Sequence, residues 1–169
     1  MLALRPTRGA SMHDPQSADR WAVMDLRHRY MRSVDLRDWD ALAATLAPEM
    51  VARYRPDLVT DGADTLVAEL RARLTDERIT VHQLGNPSID VDGDVATGVW
   101  TVSDRTVCTD VGYVVEGASL STDRYRRDPE RGWLITEISY RRFCETSVSL
   151  ADLPGFRVLA TPATGLALS

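Results

Sequence analysis

The chain has 169 residues, of which 44% are hydrophobic and 27% are charged, and its formal net charge is −5. This length and this balance predict one globular domain that buries a hydrophobic core of its own. The negative charge argues against nucleic acid and anionic membrane surfaces as partners, because a basic face would be needed to bind either.

The remaining global features indicate a cytoplasmic protein. No apolar run reaches the ~20 residues that a membrane-spanning helix needs, and residues 1–16 lack the apolar segment of a secretory signal. Two cysteines, Cys108 and Cys144, share no metal or redox spacing. We expect a loose arm over 1–16, one domain over 17–145 and a tail over 146–169.

Helical periodicity dominates the first half of the chain. Ser17 is a candidate N-cap for the first helix, and the apolar residues after it recur at helical spacing. Pro48 ends the second helix, and Asp61 can cap the third. The elements predicted in this half are helices over 18–34, 38–46 and 63–74, and a short strand over 50–54.

Long strands follow in the second half. Asp92-Gly93 is typical of a two-residue hairpin turn, and Gly85-Asn86-Pro87 predicts a bulge, because proline cannot donate to the ladder. The predicted strands are 80–91, 94–109, 114–127 and 132–142. Three helices before a long meander indicate an α+β fold. We expect a cone-like curved antiparallel sheet whose helices close over a concave pocket.

His82 is the candidate for a general base in that pocket. Of the three histidines, His13 lies in the arm and His28 on the outer helix face. One extra residue at the bulge puts His82 on the same strand face as Asp104, its diagonal neighbour. A carboxylate behind an imidazole fixes its tautomer and stabilises the imidazolium. The alternative is a satisfied strand histidine, with Asp104 ending its strand in a turn.

Four other polar residues are candidates for the same cavity. Tyr30 lies on the inward face of the first helix and Asp35 at its end, while Tyr54 and Arg142 end strands. The alternatives are a core aromatic for Tyr30, a turn or cap for Asp35 and a solvated or ion-paired arginine for Arg142. Metal-ligand spacing, a phosphate loop and a nucleophile elbow are all missing from the sequence. We therefore expect acid–base chemistry without a cofactor or metal.

A collinear series of segments resembles the SnoaL-like branch of the nuclear-transport-factor-2-like cone fold. The resemblance covers about residues 21–145. Within the superfamily the sequence is most similar to bile acid 7α-dehydratase, and scytalone dehydratase and ketosteroid isomerase are more distant. The segments that carry the resemblance are 29–35, Trp39-Asp40, 46–48, 82–87, 96–100, Asp104, 123–125 and 140–142.

The resemblance implies an enzyme and assigns roles to the candidates. His82 would be the base, with Asp104 behind it and Arg142 offsetting the buried carboxylates. Tyr30 would donate a hydrogen bond to a substrate oxygen, and Asp35 would either orient Tyr30 or pass a proton to the leaving group. The substrate would be a steroid or polyketide, and the predicted lining residues are Tyr54, Trp100, Leu84, Asn86 and Leu26. Asn86 departs from the pattern, which has a second histidine at that position.

Other functions remain open at this point. A polyketide cyclase, an epoxide hydrolase or a non-catalytic binding or assembly module could share the fold. The hydrolase would need an aspartate–arginine–aspartate series, for which the sequence offers no clear second pocket aspartate. The resemblance also implies a homo-oligomer, either a dimer or a trimer. We expect Val99, Val107 and Ile135 to be outward apolar positions on the contacting face.

Overall fold

Three helices and a six-stranded sheet form the fold in the computed structural model, which describes residues 15–55 and 58–162. The helices are α1 (Pro15–Leu36), α2 (Trp39–Ala44) and α3 (Ala63–Arg73). The strands are β1 (Leu46–Arg55), β2 (Leu58–Asp61), β3 (Arg78–Asp92), β4 (Val95–Cys108), β5 (Tyr113–Asp128) and β6 (Gly132–Ser149).

The strand order across the sheet is β2-β1-β6-β5-β4-β3. The predicted α+β cone-like fold is confirmed, with α1 packed against the concave face of the sheet. One strand pair differs from the antiparallel prediction, because β1 runs parallel to β6. The two strands are distant in sequence, so local periodicity carried no information about their direction.

The predicted elements are present, but several of their ends move. Asp38 caps α2, since its carboxylate accepts a hydrogen bond of 3.0 Å from the amide of Ala41. The cap predicted at Asp61 is not formed; α3 follows Gly62, whose φ of +90° suits glycine. β2 lies between the predicted strand over 50–54 and the third helix, where no element was predicted, and β6 runs past the predicted end at 142 to Ser149.

The hairpin between β3 and β4 sets which residues share the pocket face. Its turn is Gly93-Asp94, one residue later than predicted, and the register shifts between Gly85 and Ser88. His82 therefore lies directly opposite Asp104, not diagonal to it. The predicted bulge is confirmed, and so is the shared face.

A buried ion pair joins α1 to β5. The side chains of Arg27 and Asp123 are fully buried, and Arg27 Nε lies 2.6 Å from Asp123 Oδ2. Asp123 also accepts hydrogen bonds from Ser121 Oγ (2.6 Å) and Tyr125 Oη (3.0 Å). Burial opposes the charge on Arg27, but the charge of Asp123 holds its pKa well above the usual value. A charged residue on an alternating strand is ordinarily exposed, but Asp123 is buried because α1 covers this face of the sheet.

The predicted outward apolar positions are largely covered within the single chain. Ile135 is fully buried and Val107 is buried, while Val99 is partly buried. Ile135 and Val107 are therefore not available to pack against a second copy. In the described part of the chain, no helix combines the length and apolarity that crossing a membrane requires.

We expect Asp123→Ala to lower the free energy of unfolding by about 3–5 kcal/mol, because it leaves the Arg27 charge buried without a partner. The matched control is Glu69→Ala, which removes the exposed pair between Glu69 and Arg73 and should cost only about 0.3–0.5 kcal/mol. Urea unfolding followed by circular dichroism measures both. Equal losses in the two variants would contradict a stabilising role for the buried pair.

Candidate active site

A cavity of about 780 Å³ opens between the helices and the concave face of the sheet. Its apolar lining comes from the helices, from the residue after α3 and from β2, and most of its polar lining comes from the other strands. The apolar wall consists of Met31, Val34, Leu58, Val59, Leu70 and Leu74. The polar wall and the mouth consist of Tyr30, Arg53, Tyr54, Arg55, Thr80, His82, Asp104, Thr106, Ser119, Tyr140, Arg142 and Glu145. This size and this mixture are typical of sites for small organic molecules.

His82 is hydrogen-bonded to Asp35 at the end of α1. Asp35 Oδ1 lies 2.6 Å from His82 Nδ1 and accepts a 2.9 Å bond from Thr80 Oγ1. The backbone amide of His82 donates to Asp35 Oδ2 over 2.9 Å. A carboxylate at a helix C-terminus is unfavourable with respect to the helix dipole. The three donors from β3 offset this cost and fix both oxygens.

The Asp35 contact determines the tautomer of His82. A carboxylate can only accept at Nδ1, so the proton of the neutral imidazole lies there and Nε2 carries the lone pair. Nε2 has no hydrogen-bond partner among the described residues, and His82 lines the cavity. The arrangement suits a general base whose partner carboxylate is Asp35.

Asp104 is not the hydrogen-bond partner of His82, which corrects the sequence prediction. The Asp104 carboxylate is hydrogen-bonded to Arg142 instead. Arg142 Nη1 donates to Asp104 Oδ2, and Arg142 Nη2 donates to Asp104 Oδ1 over 3.2 Å. A guanidinium fork matches both carboxylate oxygens and is charge-assisted, so it outcompetes a neutral imidazole. Burial would lower the pKa of Arg142, but the hydrogen bonds and charge of Asp104 raise it. Glu145 Oε2 also lies 3.1 Å from Arg142 Nε.

Three tyrosines line the cavity beside the apolar wall. The hydroxyls of Tyr30 and Tyr54 are hydrogen-bonded to each other, and the Tyr54 ring meets Tyr140 edge-on at 5.1 Å. Arg27 donates to Tyr140 Oη over 3.2 Å and lies 4.8 Å from the centroid of the Tyr30 ring. Burial raises the pKa of Tyr30, Tyr54 and Tyr140. The three hydroxyls therefore stay protonated and can donate hydrogen bonds.

Four predicted lining residues lie away from the cavity. Leu26 and Trp100 are buried in the core, where the indole of Trp100 donates to a tyrosine hydroxyl over 3.0 Å. Leu84 packs against the same core, and Asn86 is exposed at the bulge, 3.4 Å from Thr101 Oγ1. The reason is that α1 fills the concave face at this end, so sharing a face does not mean sharing the cavity.

The structure brings the other predicted residues together. Tyr30, Tyr54, His82, Asp104 and Arg142 all line the cavity, and Asp35 holds His82 from behind.

Sequence reasoning missed many of the strand residues that line the cavity, among them Thr80 and Tyr140. These two each lie two positions before a predicted site residue, so strand alternation could have identified both.

The remaining histidines do not extend the site. The ring nitrogen Nδ1 of His28 lies 2.8 Å from the carbonyl of Met24, and the ring contacts Trp100 edge-on at 6.0 Å. His13 lies outside the described residues. Within the described ranges, no group of three or more histidine, cysteine and acidic side chains is placed to hold a metal ion.

Comparisons with known proteins agree on the fold. Residues 15–139 match the family model of the SnoaL-like domain. A scytalone dehydratase-like protein from Novosphingobium aromaticivorans DSM 12444 is 20% identical, with a TM-score of 0.73 over 89% of this chain and 95% of that one. The hexachlorocyclohexane dehydrochlorinase LinA-type3 from Novosphingobium barchaimii LL02 is 17% identical, with a TM-score of 0.73 over 86% and 97%.

A further solved structure extends the similarity to the wider superfamily. A nuclear transport factor 2-like protein from Salmonella enterica serovar Typhimurium LT2 is 19% identical, with a TM-score of 0.69 over 76% of this chain and 94% of that one. At such identities the similarity shows the fold alone.

The tyrosines give a test of the buried side of this site. Of the five tyrosines in the chain, four have a raised pKa because of burial: Tyr30, Tyr54, Tyr125 and Tyr140. A tyrosine whose pKa is raised in the folded state contributes stability below about pH 10. This stability is lost as the pH rises further and the hydroxyl ionises. We expect these four to ionise only together with alkaline unfolding, measured by near-ultraviolet tyrosinate absorbance alongside circular dichroism.

The control is the protein unfolded in guanidinium chloride, in which all tyrosines should ionise near about pH 10. Reversible ionisation of four tyrosines near that pH in the folded protein would show that their hydroxyls are not buried.

Proposed function

Since the chain belongs to the SnoaL-like domain family, we propose that it is an acid–base enzyme, a lyase or isomerase that needs no cofactor. The observation that carries this proposal is the Asp35–His82 pair: the Nε2 atom of His82 has no partner among the described residues, and His82 lines a cavity with one apolar wall. We propose dehydration as the reaction and a fused-ring steroid or an aromatic polyketide as the substrate.

The first step removes an acidic proton next to a carbonyl, or vinylogous to one. His82 Nε2 takes the proton, and the electron pair of the C–H bond moves toward the carbonyl oxygen. Asp35 stabilises the resulting imidazolium, while the Tyr30 hydroxyl accepts from Tyr54 and donates its own proton to the developing enolate. Their raised pKa keeps them protonated in this role.

The second step completes either reaction. In dehydration the enolate pair re-forms the carbonyl and expels a hydroxyl group, which takes the proton from the imidazolium and leaves as water. In isomerisation the imidazolium returns its proton to another carbon instead. His82 ends each cycle neutral, so no further reactant is required.

The cavity and the neighbours support the substrate and the reaction class. Six aliphatic or thioether side chains form one wall, which suits a flat apolar ring system, and polar groups lie along the facing wall. The names of two structural neighbours, a scytalone dehydratase-like protein and a dehydrochlorinase, both denote eliminations.

A hydrolase is the second candidate, favoured by one observation. Asp104, Arg142 and Glu145 form an acid–arginine–acid series at the cavity wall, an arrangement suited to activating water against an epoxide. The Glu145 side chain is 51% exposed, so its field on a bound water is weakened by solvent. Reaction in water enriched in heavy oxygen separates the two: hydrolysis puts the label into the product, whereas elimination and isomerisation do not.

Replacing the base tests the proposal directly. His82→Gln should lower kcat by about 10²–10⁴-fold, the value of a positioned general base, on a substrate found in a panel of hydroxylated steroids and aromatic polyketides. His28→Gln is the control, because it removes a histidine that lies outside the cavity. Full turnover by folded His82→Gln would exclude the mechanism.

Comparing the two aspartates tests which carboxylate supports the base. Asp35→Asn should lose most of the activity lost by His82→Gln, because an amide can present a donor to Nδ1 and favour the wrong tautomer. Asp104→Asn should lose less, since Asp104 bonds to Arg142 and not to the imidazole. The reverse order of kcat values would restore Asp104 as the partner of His82.

A further inference from the structure

We propose that Gly117 is a positioning residue. Because it has no side chain, it leaves the space in which the Arg142 side chain crosses β5 to reach Asp104. The inference deepens the proposed function and rests on it for its catalytic consequence. Asp104 on β4 is paired with Gly117 on β5, and Gly117 is paired with Glu145 on β6. Arg142 lies on β6 and Asp104 on β4, so their two side chains together bridge two strand spacings, about 10 Å.

The space above Gly117 is occupied by that guanidinium. A methyl carbon placed at Gly117 would lie 2.6 Å from Arg142 Cζ and 3.2 Å from Nε. Nonbonded carbon atoms pack at about 3.5–4.0 Å. A side chain at position 117 and the observed Arg142 conformation therefore exclude each other.

Alanine at position 117 should move Arg142 without unfolding the strand. The φ angle of Gly117 is not in the left-handed region, unlike that of four other glycines. The atoms in the way are the far end of a flexible side chain, not backbone. Gly98 differs, because a methyl group there would meet the Trp100 and Tyr125 side chains at 2.8 and 3.1 Å in the core.

The position of Arg142 decides how many carboxylates act on His82. Asp104 lies directly across the ladder from His82, and its charge is now balanced by Arg142. If the guanidinium moves away, Asp35 and Asp104 both favour the imidazolium. A smaller fraction of the base is then neutral at a given pH. The charged groups lining this wall or bonded to it are Asp35 at the end of α1, Arg37 just after that helix, Arg53 and Arg55 from β1, Asp104 from β4, and Arg142 and Glu145 from β6.

The first test needs no substrate. The imidazole titration of His82, followed by NMR and identified by the signal that His82→Gln lacks, should move upward in Gly117→Ala. Gly85→Ala is the matched control, because a methyl group there meets nothing within 4 Å. An unshifted midpoint in Gly117→Ala, or an equal shift in Gly85→Ala, would overturn the proposal.

A double-mutant cycle tests whether Gly117 acts through Arg142. Arg142→Ala should shift the His82 midpoint by about as much as Gly117→Ala, and the double variant should shift it no further. Additive shifts would overturn the proposal, because they would mean that the methyl group acts by another route. A crystal structure of Gly117→Ala should show Arg142 turned away from Asp104, and an intact pair would contradict the inference.

The catalytic consequence is read from the turnover assay. The acidic limb of the kcat/KM profile should move to higher pH in Gly117→Ala by the same amount as the NMR midpoint, while Gly85→Ala keeps the original profile. Active His82→Gln together with a shifted midpoint would refute the proposed function and leave the role of Gly117 standing. Inactive His82→Gln with an unshifted midpoint would refute only the role of Gly117.

Discussion

The contact between Asp35 and His82 joins the last turn of α1 to the middle of β3, and the rest of the site depends on it. Both carboxylate oxygens are held by donors from β3, namely the His82 ring and amide and the Thr80 hydroxyl. Arg37 follows immediately with a φ of +61°, and its guanidinium donates to Thr80 Oγ1 over 3.1 Å. The end of the helix is thereby tied to the strand at the level where the cavity opens. Since a base works only when its proton and lone pair are correctly placed, this junction turns a strand histidine into a candidate catalyst.

The concave face is divided between a filled end and an open end. At the filled end α1 packs directly on the sheet and covers Leu26, Trp100 and the Arg27–Asp123 pair. At the open end the cavity takes its place. Tyr140 connects the two, because it accepts a hydrogen bond from Arg27 and also lines the cavity. A fixed buried charge therefore lies behind the tyrosine side of the cavity, where ordered dipoles are most effective.

The sequence was sufficient to predict which face of its strand a residue occupies, but not which residues of other elements it contacts. Alternation on β3 and β4 correctly placed His82 and Asp104 on one face, because that period is a property of the strand itself. The partner of His82 was mistaken, since it depends on where α1 ends in space. Trp100 was assigned to the cavity for the same reason: it shares the face, and only the packing of α1 decides that it is covered. Asp123 was the least visible, because a charged residue in an alternating pattern is ordinarily exposed.

The residues of the site come from separate parts of the chain. The Asp35–His82 pair and the tyrosines of α1 and β1 lie within residues 15–139, the span that matches the family model. Arg142 and Glu145 follow that span, where β6 continues beyond its last pairing with β1 at Ser139. The base and its carboxylate thus come from β3 and the end of α1, whereas the charge that compensates Asp104 comes from the far part of β6. Because that compensating arginine must cross β5, this part of β6 could supply it only where β5 has no side chain in the way, and Gly117 meets that requirement.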